Sequence, residues 1–257
     1  MHGVEQHSGV LDRLGESIAS GARAPGTVLT LAALEEEFGV SRTLVREVVR
    51  VLESMGMVES RRRVGVTVRP ERDWNPFDPR VIRWRLGGPG RDEQLRSLTE
   101  LRAAIEPVAA RLAAGRADGS TRRRLVELAA RLRELGEARR GTDPEYLEVD
   151  TAYHALLLEA SGNPMLAALQ DVVAEVLSGR TALGLMPRSP APGALEDHEA
   201  TAAAVAAGDA AEAEARARSV VTEVLEGVVE GTDRRDERGD GPTERAAVTG
   251  SGTGPVP

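Results

Sequence analysis

The first part of the chain carries apolar positions at helical spacing, interrupted by turn residues. One apolar stripe predicts an amphipathic helix that ends near Gly21, and it consists of Val10, Leu11, Leu14 and Ile18. We expect residues 1–8 to form a frayed leader ahead of it. Thr30 is a good N-cap for a short second helix over 31–38, which Gly39 terminates.

A third helix is predicted to start after Ser41, its N-cap, and to end at Gly56. Its apolar positions share one face, and they are Leu44, Val45, Val48, Val49, Leu52 and Met55. Two short strands at 57–60 and 64–68 follow, around an arginine-rich turn. Three helices followed by a hairpin is the element order of a winged helix-turn-helix domain.

From residue 93 the pattern is helical throughout, and no strand pattern competes with it. We predict helices at 93–115, 121–140, 144–161, 164–184, 194–207 and 210–230. The turn-rich segment before them contains one short helix, and the end of the chain has almost nothing to bury. The sequence therefore predicts a mainly α protein with four parts: a winged helix-turn-helix domain over 8–70, a linker over 71–92, an all-α antiparallel bundle over 93–230 and a disordered tail over 231–257.

Composition supports helices and excludes several classes of site. The 257-residue chain has no cysteine, which excludes disulfides, thiolate metal sites and cysteine nucleophiles. Because only 2 Phe, 2 Trp and 2 Tyr occur, alanine and aliphatic residues must fill the core, which favours helices. No apolar run reaches the roughly 18 residues that span a bilayer, and no signal-peptide pattern opens the chain. We expect a cytoplasmic protein without a membrane partner.

The charge is distributed unevenly along the chain. The net charge is −8, and all 33 basic residues are arginine. Residues 40–70 nevertheless hold seven arginines against three glutamates. A compact basic segment on an acidic protein is either a polyanion-binding site or a solvated charged surface, and charge alone leaves both interpretations open.

The start of the third helix holds the residue types that DNA recognition uses. Ser41, Arg42 and Thr43 occupy the first turn, where free backbone N–H groups suit a phosphate. Arg46 follows Arg42 by four residues, so both project from one face, and an arginine fork matches O6 and N7 of guanine. The hairpin turn adds arginines that can reach the DNA backbone or minor groove, Arg61, Arg62 and Arg63. This combination favours a DNA interface over solvated arginines.

These segments resemble the winged-helix domain of the GntR family of bacterial repressors. The resemblance covers about residues 8–70 and is carried by 25–29, 40–47 and 52–58. It implies contacts to double-stranded operator DNA from Ser41, Arg42, Thr43 and Arg46, and a close approach of wing residue Gly65 to the DNA backbone. Two positions depart from the family pattern: Ala32 replaces a common arginine, and Arg63 replaces the first wing glycine.

The C-terminal half resembles the all-helical ligand-binding domain of the FadR subfamily, known as FCD. The resemblance covers about residues 93–228 and is carried by 100–102, 106–107, 150–154, 162–166, His198 and 207–209. It implies that Arg102 binds the carboxylate of an effector. The residues alone leave open an ion pair between Arg102 and Glu106 instead. Segment 74–85 resembles the linker of sugar-acid regulators, such as those of galactonate and gluconate operons.

Two histidines lie in the body of the chain, and one has an acidic neighbour. Asp150 and His154 are four residues apart on one helix and can share a cation with His198. Imidazole and carboxylate together suit zinc, nickel or manganese. Spacing alone also allows an ordinary polar pair and an unrelated His198, whereas the resemblance implies a divalent metal site. Family members usually add a last-helix histidine, which is Val220 here, so three protein ligands remain.

The leading hypothesis is a ligand-responsive transcriptional regulator, a repressor, which binds a palindromic operator as a homodimer. A small carboxylate, such as a sugar acid, would be its effector. One alternative is a metal-dependent hydrolase or lyase that uses Asp150, His154 and His198. Against it, the sequence shows no nucleophile–base pair and no acidic group supporting these ligands. A ligand-free architectural DNA-binding dimer is the third hypothesis.

Overall fold

The computed structural model describes residues 2–190 and 193–222, with side chains from residue 7 onward. Its N-terminal half contains helices α1 (His2–Ala19), α2 (Leu31–Phe38) and α3 (Arg42–Ser54), and strands β1 (Val28–Leu29), β2 (Val58–Arg61) and β3 (Gly65–Val68). A 3-10 turn (Glu71–Asp73) and helix α4 (Pro79–Leu86) follow. The second half contains α5 (Arg91–Arg116), α6 (Gly119–Glu137), α7 (Pro144–Ala160), α8 (Pro164–Ala167), α9 (Gln170–Ala182), α10 (Ala194–Ala207) and α11, which is described over 210–222. The predicted fold class is confirmed.

The wing is a three-stranded sheet and not only the predicted hairpin. The strand order is β1-β3-β2, and both pairings are antiparallel. Strand β1 pairs Val28 with Thr67, and β2 pairs Ser60 with Val66. Because β1 has only two residues, alternation of apolar and polar positions could not predict it. It joins the segment before α2 to β3, the central strand of the sheet.

Several boundaries differ from those that the sequence predicted. The expected leader over 1–8 is wrong, because α1 already begins at His2. A helix anchored by buried positions extends readily, since each added residue gains one backbone hydrogen bond. The single helix predicted at 164–184 is two helices: the N–H of Leu169 bonds to the carbonyl of Leu166, only three residues back, and the chain turns there. The predicted tail over 231–257 lies outside the described residues.

Small side chains allow the helices of the C-terminal half to approach one another closely. Helix α6 packs against α7 and α10, and α7 packs against α5 and α9. The main core joins leucines to several fully buried alanines, which include Ala110, Ala113, Ala129, Ala202 and Ala213. Because alanine also has the highest helix propensity, the same residues favour the helices and their close packing.

Helix α4 belongs to the cores of both halves. Val81 and Trp84 lie in the apolar cluster of the winged domain, where the indole Nε1 of Trp84 donates to Asp12 on α1 at 3.2 Å. Ile82 and Leu86 lie in a separate apolar cluster with residues of α5 and α9. The eight residues of α4 therefore connect the winged half to the helical half through side chains on opposite faces.

Two glycines bring the neighbouring helices close to α4. A Cβ on Gly15 of α1 would overlap the indole ring of Trp84, and a Cβ on Gly179 of α9 would lie 2.6 Å from Cδ1 of Leu86. A side chain at Gly15 would require the indole ring of Trp84 to move, whereas at Gly179 the end of the Leu86 side chain would have to shift. Both contacts therefore depend on the absence of a side chain at the glycine.

We expect Gly15→Ala to destabilise the protein although alanine favours helices. Forcing a methyl group into a packed contact costs about 1–3 kcal/mol, whereas alanine gains roughly 0.5–1 kcal/mol over glycine inside a helix. Gly9→Ala in the same helix is the control, because nothing lies within 4 Å of its Cβ. Thermal unfolding should show a lower melting temperature for Gly15→Ala and an equal or higher one for Gly9→Ala. A stabilised Gly15→Ala variant would contradict the packing of Trp84.

Candidate DNA interface and buried histidine site

Capping residues define the ends of α2 and the start of α3, and so hold the turn between these two helices. The hydroxyl of Thr30 accepts from the N–H of Ala33 at 3.1 Å, and α2 ends at Gly39 in a left-handed conformation. The hydroxyl of Ser41 then accepts from the N–H of Leu44 at 3.4 Å, which starts α3. The turn between the two helices is thus held by the residues that the sequence analysis selected.

The exposed face of α3 carries the predicted DNA-reading residues. Ser41, Arg42, Thr43 and Arg46 are exposed, while Val45, Val48, Val49 and Leu52 are buried on the opposite face. Arg42 lies 3.8 Å from Glu35 of α2, whereas Arg46 has no ion-pair partner among the described residues. An arginine without a carboxylate partner keeps its full donor set for a phosphate or a base edge.

The wing presents further arginines beside α3. Arg61 pairs with Glu59 at 2.9 Å, and Arg62 and Arg63 form no ion pair within the described part of the chain. Arg63 adopts φ 68°, a left-handed conformation that costs about 1–2 kcal/mol for a residue with a side chain. Gly65 has φ 120°, and a Cβ there would lie 2.8 Å from the carbonyl oxygen of Leu29, so β1 itself requires this glycine.

A groove of about 360 Å³ runs between α3 and the wing. Four arginines line it, together with Gly65: Arg46, Arg50, Arg61 and Arg62. Sequence reasoning did not select Arg50, which follows Arg46 by one helical turn and could have been found from that spacing. The structure thus brings the arginines of α3 and of the wing to one surface.

The three predicted metal ligands meet inside the helical half. Nε2 of His154 lies 3.4 Å from Nε2 of His198 and 3.4 Å from Oδ1 of Asp150, and the remaining distance, from His198 to Asp150, is 3.7 Å. A tetrahedral cation with ligand distances near 2.0–2.2 Å separates its donors by about 3.4 Å. The donor atoms are therefore spaced as a divalent cation requires, and all three residues are buried.

The ring nitrogen that points away from this cluster makes a hydrogen bond in His198 and faces a carboxylate, without hydrogen-bond geometry, in His154. Nδ1 of His198 donates to the carbonyl oxygen of Ala194 at 2.6 Å, so its Nε2 keeps a free lone pair. Nδ1 of His154 lies 3.0 Å from Oε2 of Glu106. Histidines that bind metals nearly always have such a partner on the second nitrogen. The expectation that no acidic group supports the ligands is therefore wrong, because α5 places Glu106 behind His154.

Arg102 joins the same buried network. Its Nε and Nη2 donate to the two oxygens of Glu106 at 2.6 and 3.3 Å, so the ion pair that the sequence left open is present. Nη2 also lies 3.2 Å from Nε2 of His154. Nη1 of Arg102 is buried and has no hydrogen-bond partner among the described residues. One donor of the guanidinium thus remains available for another group.

The electrostatics of the cluster keep its carboxylates ionised. Burial alone would raise the pKa of Glu106, but the charges of Arg102 and His154 lower it well below its usual range. Burial also opposes ionisation of Asp150, whose pKa is lowered by its hydrogen bond to His154 and by the charges of both histidines. Burial and the nearby charge of His154 lower the pKa of His198, which favours its neutral, ligating form.

Val220 contributes no ligand to this cluster. It is a buried valine of α11, and its side chain has no donor atom. Within the described residues, the candidate cation site therefore offers three protein donors, from Asp150, His154 and His198. None of the helices described over 2–190 and 193–222 has both the length and the apolar character needed to cross a membrane.

Comparison with known proteins assigns both halves to families. Residues 6–68 match the model of bacterial regulatory proteins of the gntR family, and residues 97–223 match the FCD domain. The Escherichia coli galactonate operon transcriptional repressor is 32% identical over 191 residues, which cover 73% of this chain and 81% of that protein. The E. coli transcriptional regulator YieP is 34% identical over 162 residues, which cover 63% and 70%.

A solved structure has the same fold. It is that of Lar, described as controlling the expression of the Listeria monocytogenes agr system, with a TM-score of 0.54 and 19% identity over 87% of this chain and 96% of that one. These matches are regulators, and they give no support to a hydrolase or lyase. The chain belongs to the gntR family of bacterial regulatory proteins and is a ligand-responsive transcriptional regulator with an FCD domain.

Proposed function

We propose that the protein is a repressor that binds a palindromic operator as a homodimer and is released by a small carboxylate effector. The observation that carries this proposal is the pairing of an exposed arginine face on α3 and the wing with a buried cation-type cluster in the FCD half. The repressor role and a sugar-acid effector are supported by the likeness to the galactonate operon repressor. A regulator of bacterial operons acts in the cytoplasm, where we place this protein.

The DNA contacts divide into two kinds. Arg42 and Arg46 read base edges in the major groove, since an arginine fork fits guanine O6 and N7. Ser41 and Thr43 at the helix start, and Arg61, Arg62 and Gly65 at the wing, position the domain on the backbone. The net charge of −8 keeps the rest of the protein from binding DNA unspecifically, so the contacts concentrate on this face.

The cluster of Asp150, His154 and His198 holds one divalent cation, which we propose to be zinc, nickel or manganese. The supporting observations are the donor spacing, the hydrogen bond from Nδ1 of His198 to Ala194, and the carboxylate of Glu106 that lies 3.0 Å from Nδ1 of His154. When bound, the cation supplies a Lewis-acidic site for oxygen ligands of the effector. Arg102 lies beside it, and its free Nη1 donates to the effector carboxylate.

Helix α9 is the path from this site to the DNA-binding half. Its Glu175 binds Nε of Arg83 on α4 at 3.1 Å, and its Gly179 packs against Leu86. On its other face, α4 packs against α1 through Trp84. An effector that favours one position of α9 therefore favours one orientation of the winged domain, which is a population shift. In the released state the two recognition helices no longer match major grooves about 34 Å apart.

The DNA proposal predicts that Arg42→Ala and Arg46→Ala each weaken specific binding while the protein remains folded. Loss of one bidentate base contact costs about 1–3 kcal/mol, or roughly 5- to 150-fold in affinity. Arg124→Ala on α6 is a matched control, because the side chains of Arg42 and Arg124 are both 60% exposed. Fluorescence anisotropy should be measured on DNA selected by the wild type from a random pool. Wild-type affinity in both α3 variants would contradict the assignment.

The metal proposal predicts about one divalent cation per chain after metal loading, and its loss in His154→Ala and His198→Ala. Both variants should still bind operator DNA but fail to release it when a carboxylate effector is added. His7→Ala on α1 is the control, because it changes a histidine outside the cluster. Elemental analysis and effector titration give the two readouts. Substoichiometric metal in the wild type, or an unchanged effector response in both variants, would show an ordinary polar cluster.

The dimer proposal predicts that two chains bind two half-sites. Light scattering should give twice the chain mass of 27.3 kDa, free and on the operator. Inserting about five base pairs between the half-sites rotates them by half a turn and should abolish binding, whereas about ten base pairs should restore part of it. A monomer in both states, or tolerance of the five-base-pair insertion, would contradict a symmetric dimer. A dimer without response to any carboxylate would favour the ligand-free architectural protein.

A further inference from the structure

One glutamate of α2, Glu35, lies against an arginine at the start of α3. Its Oε1 is 3.8 Å from Nε of Arg42, and its carboxylate forms no other ion pair in the described part of the chain. This oxygen is buried, and no described residue donates a hydrogen bond to it. A buried acceptor without a donor is unfavourable. Oε1 can therefore still gain a hydrogen bond, and Arg42 is the cation beside it.

The backbone of Glu35 determines where its carboxylate lies relative to α3. Its carbonyl oxygen accepts from the N–H of Gly39 at 3.0 Å and from the N–H of Val40 at 3.3 Å. The turn that follows ends at Ser41, which caps α3 directly before Arg42. Because both ends of this turn are hydrogen-bonded, the carboxylate is held beside Arg42.

The charge of α2 is unfavourable for contacts of its own to DNA. The helix has no basic residue, and its second half carries three consecutive glutamates, Glu35, Glu36 and Glu37. Carboxylates near a helix C-terminus face the negative end of the helix dipole. Glu37 is paired with Arg23, and the side chain of Glu36 has no partner among the described residues. Since DNA phosphates repel such a helix, a favourable effect of α2 on DNA binding is better made through Arg42.

We propose that Glu35 is a positioning residue for base recognition, whose carboxylate orients the guanidinium of Arg42 and directs it to a base edge instead of a phosphate. The inference rests on the proposed function, in which Arg42 reads guanine. A carboxylate at Nε leaves Nη1 and Nη2, the end of the fork, free for O6 and N7 of guanine. Its negative charge also makes a nearby phosphate a less favourable partner for Arg42.

The ion pair gains its strength in the DNA complex and not in the free protein. The side chain of Arg42 is 60% exposed, and an ion pair screened by water contributes little to folding. When DNA covers this face, water is excluded and the same two charges interact more strongly. A separation of 3.8 Å is too long for a hydrogen bond, so that bond is left to be made in the complex. Glu35 therefore affects DNA selectivity more than stability.

Arg46 offers a comparison within the same helix. It has no carboxylate partner among the described residues and lines the groove beside the wing. An arginine without such a partner loses more conformational freedom when it binds a base. The two arginines therefore differ in their dependence on Glu35, because the base preference of Arg42 requires its carboxylate and that of Arg46 does not.

The test measures base preference by fluorescence anisotropy, on the operator selected from a random pool and on variants with one base pair changed in both half-sites. Arg42→Ala and Arg46→Ala first identify the pair that each arginine reads, as the pair at which each variant loses its preference. Glu35→Ala should then reduce the preference at the Arg42 pair by about fivefold or more, and leave that at the Arg46 pair within about twofold.

Glu36→Ala is the matched control, because it removes an equal charge from the neighbouring exposed position. It should leave the preference at both pairs unchanged. In the Arg42→Ala background, Glu35→Ala should cause no further loss of preference, since the residue that it positions is already absent.

Thermal unfolding separates a positioning role from a structural one. Because Glu35→Ala removes an unpaired buried oxygen and a carboxylate near a helix C-terminus, its melting temperature should equal or exceed that of the wild type. A clear decrease would show that Glu35 supports the fold and would overturn the proposal. An unchanged preference at the Arg42 pair, or an equal loss in Glu36→Ala or at the Arg46 pair, would also overturn it.

The same data distinguish a failure of this inference from a failure of the proposed function. If Arg42→Ala loses its preference at one pair while Glu35→Ala keeps it, only the positioning role fails. If Arg42→Ala keeps the wild-type preference at every pair, base reading by Arg42 fails as well.

Discussion

The connection between the two halves of the protein depends on one short helix, which is packed into two hydrophobic cores. Helix α4 buries Val81 and Trp84 with the winged domain, and Ile82 and Leu86 with the helical domain. Because protein interiors are densely packed, α4 cannot deform gradually when a helix on one side of it moves. It either moves as a rigid body or holds that helix in place. Gly15 and Gly179 let α1 and α9 lie close to α4, because neither has a side chain to separate the helices. Helix α4 therefore couples the winged half to α9 through direct packing.

The helical half is distinguished by a network of buried charged side chains. Burying charged groups is unfavourable unless partners compensate for the lost water, and α5 and α7 supply those partners to one another. Arg102 lies between Glu106 and His154, and Asp150 lies between the two histidines. The network is nevertheless incomplete, since Nη1 of Arg102 has no described partner. A network with all hydrogen bonds made would rigidify the domain, whereas one with unpaired donors can gain hydrogen bonds when a ligand binds.

The two halves therefore have complementary electrostatic designs. The DNA-binding face exposes its arginines to solvent, where an unpaired charge costs little and a polyanion can approach from outside. The histidine cluster buries its charges, and each interaction there is stronger because the surroundings exclude water. Helix α4 joins the two environments through its apolar clusters with both halves and through the ion pair of Arg83 with Glu175 of α9.

The sequence by itself determined the elements and the local chemistry. Apolar spacing and caps such as Thr30 and Ser41 specify helices from neighbouring residues alone, and the i,i+4 relation of Asp150 and His154 requires nothing beyond one helix. Tertiary structure decided what distant segments bring together. Strand β1 exists only because β3 supplies its hydrogen bonds, and His198 meets His154 across 44 residues. Glu106 comes to lie beside His154 only because α5 packs against α7. Such contacts arise when apolar faces of helices that are distant in the sequence are buried against one another. The spacing of residues within one helix does not show which helices will pack together.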